Sequence, residues 1–256
     1  MQYIKQHKLG IFITCYDEVE AIRYAISSCR RFYPDNPIYI VSESQEDFSF
    51  IKNIENCKFV RGNDTMGPVL GIRHDNDDYK SPILQQSIMN AAKALLDRLD
   101  EAIPFLNSEY IILHCPDTLI RGVLNIPNNT GLLGSTVNKY FNSETNRILV
   151  ANGGIPINFF GAVPAIFNTA DFVKAKRILY DTPDLLNALC FSFYAVFSHD
   201  ILLPILFSLI GKSETYNPDI IECDRNPHWE HTHHPLIHQF RRFYPKRTSK
   251  YSINQK

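Results

Sequence analysis

Between Leu9 and Asp117, short apolar runs alternate with stretches of helical periodicity, and this restricts the folds open to the chain more than any other feature. Leu9 to Cys15 reads as a buried strand. Val19, Ile22, Ile26, Cys29 and Phe32 then recur at three and four residues, which puts them on one face of a helix. The Pro- and Asn-rich run Tyr33 to Pro37 stops that helix. Ile38 to Ser42 and Cys57 to Arg61 read as two further strands. A loop rich in Gly, Asp and Asn covers 62–79. A long amphipathic helix follows from about Ser81, with Ile83, Leu84, Ile88, Ala91, Ala92, Leu95 and Leu99 expected on its buried face. The strand Tyr110 to Leu113 leads to Asp117. Such a βαβ rhythm predicts an α/β fold, an open parallel sheet with helices on its faces.

Ligands of such sheets lie beyond the carboxyl ends of the strands, where Thr14, Ser42 and Asp117 fall. The second half is less regular. Gly131 opens a strand-like region, and a glycine-marked loop runs from Asn152 through Gly153 and Gly154 to Gly161. Asn168 or Thr169 caps a helix with Asp171 in its first turn. Asp200 opens an apolar helical run, Ile201 to Ile210. The stretch from Leu189 to Ile210 is nearly all apolar, yet His199, Asp200 and Pro204 fall near its middle. A central Asp costs about 2.5–3.5 kcal/mol in a membrane span, so a buried core segment is the better account.

A chain of 256 residues can bury one large core, expected here over 1–225, with 226–256 as a basic, His-rich tail packing on or near the active site. The net charge of −1 gives no electrostatic footprint for nucleic acid. Six widely spaced cysteines without a Cys-x-x-Cys predict reduced thiols and a cytoplasmic protein, and Leu9 to Cys15 is too short for a signal peptide. The tail carries six Lys or Arg and no acid from His231 onward. Its composition fits a solvated segment first, and a peripheral contact with an anionic membrane second.

The order of these pieces resembles GT-A-fold glycosyltransferases, most nearly the family 2-like enzymes with nucleotide-sugar donors. Ile11 to Glu20 looks like the family's first strand and nucleotide-binding turn. Ile40 to Asp47 resembles its second strand and acidic turn. Tyr110 to Asp117 resembles the strand ending in an Asp-x-Asp motif, and Phe197 to Pro204 the acidic pair before a helix that supplies the base. The chain departs from the pattern twice: the first motif carboxylate is Cys115, and the usual Glu-Asp pair reads His199-Asp200.

The resemblance implies a single GT-A-like α/β domain, an open, mostly parallel (mixed) sheet with helices on both faces, that transfers a sugar from a nucleotide-diphosphate donor, UDP-sugar foremost, to a saccharide or glycan acceptor. Transfer needs charge neutralised at the diphosphate, usually by Mn2+ or Mg2+, and a base for the acceptor hydroxyl. Asp117 is the candidate cation ligand, and Asp200 the candidate base of an inverting reaction. Thr14, Tyr16, Glu18, Ser42, Glu43, Arg73 and Pro116 would line the donor site. Gly153, Gly154, His199 and Trp229 would meet the substrate. A tail histidine, His231 or His233, would complete the cation shell in place of the carboxylate missing at Cys115; the same cluster includes His228, His234 and His238. A literal Asp75-Asn76-Asp77 has no strand leading into it and reads as a solvated turn. Two other functions fit the sequence: a non-catalytic nucleotide-sugar-binding protein on the same scaffold, and a sugar nucleotidyltransferase. The second lacks a Gly-rich, Lys-containing phosphate loop after the first strand.

Overall fold

The computed structural model describes residues 8–15, 19–42, 44, 46–63, 81–134, 142–158, 164–193, 199–222 and 233–238. Four strands in the first half lie parallel: β1 (Leu9–Cys15), β2 (Ile38–Ser42), β3 (Cys57–Arg61) and β4 (Tyr110–His114). Two later segments add β6 (Leu132–Gly134) and β7 (Ala165–Asn168), and β8 (Glu214–Tyr216) forms an edge. The seven-stranded order is β3-β2-β1-β4-β7-β6-β8, with β7 antiparallel to both neighbours. The strand–helix rhythm predicts the parallel part, and the mostly parallel, mixed sheet is the one the GT-A-like resemblance implies.

Both faces of the sheet are covered, and strict alternation along each strand shows how. Ile11 and Ile13 of β1, Ile38 and Ile40 of β2, and Tyr110 and Ile112 of β4 enter one core. Phe12, Tyr39, Val41, Ile111 and Leu113 enter the other. Period-two side-chain direction makes this partition unavoidable once the strands pair. The first core is closed by α1 (Val19–Phe32), whose Ala21, Ile22, Ala25, Ile26 and Cys29 form the buried stripe.

Five helices close the second core: α2 (Pro82–Leu106), α3 (Ser143–Ala151), α4 (Thr169–Asp181), α5 (Pro183–Ser192) and α6 (His199–Leu209). Ser81 caps α2, and Asn107 ends it in a left-handed conformation at φ 42°. One expectation fails here. Ile83 is 80% exposed, because the buried stripe of α2 runs through Gln85, Ile88, Ala92, Leu95 and Leu99. At about 100° per residue, Ile83 sits nearly opposite that stripe. Asn168 caps α4 by accepting a hydrogen bond from the Asp171 N–H at 3.1 Å.

The apolar stretch from Leu189 onward is divided between α5, which ends at Ser192, and α6, which starts at His199. Every residue from Ile201 to Leu209 is buried, as expected of a helix apolar on all sides in a large core. Among the described residues no helix is long and apolar enough to cross a membrane.

A second, three-stranded sheet is not foreshadowed by the strand–helix rhythm. It comprises β5 (Thr118–Ile120), β9 (Ile220–Glu222) and β10 (Leu236–His238), in the order β5-β10-β9. Ile120, Ile220 and Leu236 pack it into the same core as α1. The segment expected to be a tail therefore contributes its central strand.

Candidate functional site

The chain steps outward from β1 to β2 to β3, and α2 then returns it to β4 on the other side of β1. Strand order thus reverses between β1 and β4, which makes the crevice beyond their carboxyl ends the natural ligand position. Ile13 is in register with His114, so the two strands finish close together, β1 at Cys15 and β4 at His114.

Immediately after β4 the chain turns sharply. The Thr118 N–H donates to the Cys115 carbonyl at 3.1 Å, closing a turn with Pro116 and Asp117 at its centre. Pro116 stands at the position where its fixed φ suits such a turn. Thr118 begins β5, and the antiparallel pairing of β5 with β10 sets His238 opposite Thr118. As a result His238 Nε2 lies 3.6 Å from Asp117 Oδ1. One donor atom each from Cys115, Asp117 and His238 lies within 4.8 Å of the other two. Asp117 is only 6% exposed. A sulfur, a carboxylate oxygen and an imidazole nitrogen converging in this way fit a divalent cation.

Beneath the cluster the protein is electrically quiet. His114 is fully buried, and loss of hydration drives its pKa down to about 3, with the neighbouring His238 pushing the same way. Its Nε2 is 3.8 Å from the Cys29 Sγ. Burial pushes the Cys29 thiol up to about 12, so both groups are neutral at pH 7. A neutral floor of low polarity strengthens the field of any charge held above it.

The remaining expected residues divide by position. Ser42 ends β2, buried, and its hydroxyl accepts from the Ser44 N–H at 3.2 Å, so it organises its own turn. Thr14 is half-buried near the end of β1. Gly153 has φ +82°, and Gly154 N–H donates to the Leu149 carbonyl at 2.9 Å; together they terminate α3. A Cβ on Gly154 would meet Ser208 Oγ at 3.0 Å, so this glycine admits the close approach of α6. His233 is exposed, and among the described histidines His238 is the one beside Asp117. Tyr16, Glu18, Glu43, Arg73, Trp229, His231 and the Asp75-Asn76-Asp77 run lie outside the described residues.

Asp200 is half-buried in the first turn of α6, and its acidic neighbour is Glu214. Glu214 is 5% exposed, and neither carboxylate oxygen has a hydrogen-bond partner among the described residues. Burial first, and the Asp200 charge second, raise its pKa to about 8. Glu214 borders a cavity of about 80 Å³ that Pro156, Asn158, Pro204, Ser208 and Lys212 also line. By strand register it is level with Ile111, three strands across from β4. That places its backbone on the order of 15–20 Å from His114.

Sequence reasoning missed Glu214 and did not choose His238. A signal for His238 exists, since Leu236-Ile237 is an isolated apolar pair in a polar segment and so marks a strand. Nothing local marks Glu214. A cavity of about 220 Å³ between α1 and β5, bordered by Tyr24, Ser28, Arg31 and Arg121, shares no residue with the Asp117 cluster.

No protein-family model matches this sequence, and no curated protein matches it. Solved structures do match. The galactosyltransferase LgtC in complex with donor and acceptor sugar analogues shares 13% identity and superposes with a TM-score of 0.52, over 90% of this chain and 86% of that one. An active-site mutant of LgtC gives a TM-score of 0.54 at the same identity and coverage. At this identity the likeness establishes the fold, a single GT-A-like α/β architecture.

Proposed function

We propose that this protein is a glycosyltransferase, moving a sugar from a nucleoside-diphosphate donor to a hydroxyl of a saccharide or glycan acceptor. The observation that carries the reading is the convergence of Cys115, Asp117 and His238 at the β1/β4 switch point of a GT-A-like sheet. The LgtC complex supports it by holding donor and acceptor sugar analogues on a similar fold. In this reading UDP-sugar is the first donor to test, and the work takes place in the cytoplasm.

Asp117 and His238 hold a divalent cation, Mn2+ or Mg2+ in the ordinary pattern of such enzymes. The cation supplies neutralising charge at the leaving diphosphate. Thr14 and Ser42, with Tyr16, Glu18, Glu43 and Arg73, border the donor. Gly153, Gly154, His199 and Trp229 fall to the substrate side. The resemblance gives the acceptor proton to Asp200, with inversion at the anomeric carbon, although its neighbour Glu214 lies on the order of 15–20 Å from His114 by strand register. The C-terminal segment brings His238 to the site through β10, and its basic residues are the candidate contact with an anionic membrane.

The test is donor turnover. The protein is incubated with a panel of nucleotide-sugars, with and without a divalent cation and saccharide acceptors, and released nucleoside diphosphate is measured. Cation-dependent release that rises with acceptor is expected. Donor binding without release would instead identify a non-catalytic nucleotide-sugar-binding protein, which Cys115 in place of a carboxylate favours. Pyrophosphate release from a nucleoside triphosphate and a sugar phosphate would identify a nucleotidyltransferase.

A further inference from the structure

The identity of the donor atoms at the Asp117 site says more than that a cation binds. Oxygen-only donor sets suit magnesium and manganese, whereas a thiolate beside an imidazole suits zinc and its softer relatives. Here the sulfur of Cys115, half-buried and packed at the edge of the helix-covered core, lies within 4.8 Å of both the Asp117 oxygen and the His238 nitrogen. Bond lengths of about 2.0–2.3 Å at tetrahedral angles put neighbouring donors about 3.3–3.6 Å apart. The Asp117–His238 separation is already 3.6 Å. The Cys115 sulfur has the rest of that distance to close when an ion binds, and three described donors are one short of a tetrahedral shell.

We infer that Cys115 binds the cation through its sulfur, and that the site consequently prefers a thiophilic divalent ion of the zinc or cobalt kind to manganese or magnesium. On binding, the thiol proton passes to solvent, because the thiolate is the ligand. The inference deepens the proposed function, since it concerns the cation that the transferase reading assigns to this site. It changes the reading in one respect: Cys115 is a functional exchange of ligand type and not a lost ligand.

The other described cysteines do not compete. Cys15, Cys29 and Cys190 are buried. Burial raises Cys29 and Cys190 to about 12 and Cys57 to about 11, and among the described residues none of the four joins a group of three potential ligands.

The whole chain is stripped with a chelator and titrated with Co2+. A near-ultraviolet sulfur-to-cobalt charge-transfer band is expected, stoichiometric with protein and lost in Cys115→Ser. Zinc outranks manganese at almost any nitrogen–oxygen site, so the raw preference decides nothing. The informative quantity is the Zn2+/Mn2+ affinity ratio, which should fall roughly tenfold or more in Cys115→Asp as an oxygen donor replaces sulfur.

Cobalt binding without the band, a band that survives Cys115→Ser, or an unchanged ratio in Cys115→Asp would each overturn the inference. Should the variants fail to fold, alkylation of Cys115 in the native chain decides the same point by mass spectrometry. Protection by Zn2+ supports sulfur ligation, and its absence overturns it. Nucleoside-diphosphate binding is measured on the same preparations. A charge-transfer band with no nucleotide binding keeps the sulfur ligand and removes the transferase reading. Transfer supported by Mn2+ with no band does the reverse.

Discussion

At the scale of single residues, Glu214 and Asp200 form the most loaded pair in the described core. Glu214 has its pKa raised to about 8 by burial and by Asp200. An unfolded glutamate titrates near 4.3, so the folded state holds the proton more tightly. The resulting stability is fully present below about pH 4.3 and lost as the pH rises through 8. At about 1.4 kcal/mol per pKa unit, the loss amounts to several kcal/mol. Glu214→Gln keeps the shape of the neutral acid, so its melting temperature should gain on that of the native protein from pH 5 to about pH 8 and level off above that. Parallel pH profiles for the two proteins would show that Glu214 is not held neutral. Asp200→Asn bears on both the pair and the chemistry. Asparagine keeps the volume of aspartate, so the fold should survive while the loss of the neighbouring charge pulls the Glu214 pKa down. If Asp200 is also the base, transfer should fall by about 10²–10⁴-fold with donor affinity near native. Near-native transfer by this variant would confine Asp200 to its place beside Glu214 and remove the reason for expecting inversion.

At the scale of elements, the junction of α3 with α6 is where a functional and a structural reading of the same residues part. Gly154 has Ser208 Oγ, the Leu149 carbonyl and the Ser208 carbonyl within 3.0–3.2 Å of where a Cβ would stand. Two of those atoms are backbone and cannot swing away. Gly154→Ala should therefore cost about 1–3 kcal/mol as overpacking, measured as a drop in the denaturation midpoint. Gly153 has open space around its absent Cβ but φ +82°, so Gly153→Ala acts through backbone strain alone. If these glycines meet the substrate instead, both alanine variants should raise KM beyond what their stability loss explains. An unchanged KM in the folded fraction would leave them as helix-terminating residues.

At the scale of the whole molecule, the switch point between β1 and β4 is the feature that gives the fold a ligand. UDP or another nucleoside diphosphate should raise the melting temperature, and a divalent cation should raise it further, as mass action requires of anything that binds only the native state. Ligand at 100 times its dissociation constant stabilises by about 2.7 kcal/mol, several degrees for a domain of this size. Asp117→Asn removes charge but little volume, so it should abolish the cation-dependent increment while leaving the unliganded melt nearly unchanged. A melt that no nucleoside diphosphate shifts at millimolar concentration would argue against a donor site. A cation response that survives Asp117→Asn would move the cation elsewhere, with the Asp75-Asn76-Asp77 run the next place to test.

What was legible in the sequence is what local periodicity encodes. A repeat of two or of 3.6 residues reports which neighbours on the same element face the core. That suffices for β1 to β4, for α1, and for Asp117 at the tip of a strand. Capping chemistry acts over three or four residues, so Asn168 was readable as the start of α4. Strand order was not readable, because pairing joins segments that share no local signal: β7 inserts between β4 and β6, and β10 pairs with β5 across more than a hundred residues. His238 reaches Asp117 only through that pairing, which is why a cluster of tail histidines offered no choice among them. Glu214 looks like any polar strand residue until α6 and the 80 Å³ cavity close over it. The sequence thus determined the long elements of the first half, the α4 cap and the places of Asp117 and Asp200 at element ends, since those depend on neighbours a few bonds away. The tertiary structure alone decided which of those groups meet, because that depends on the summed packing of segments far apart in the chain.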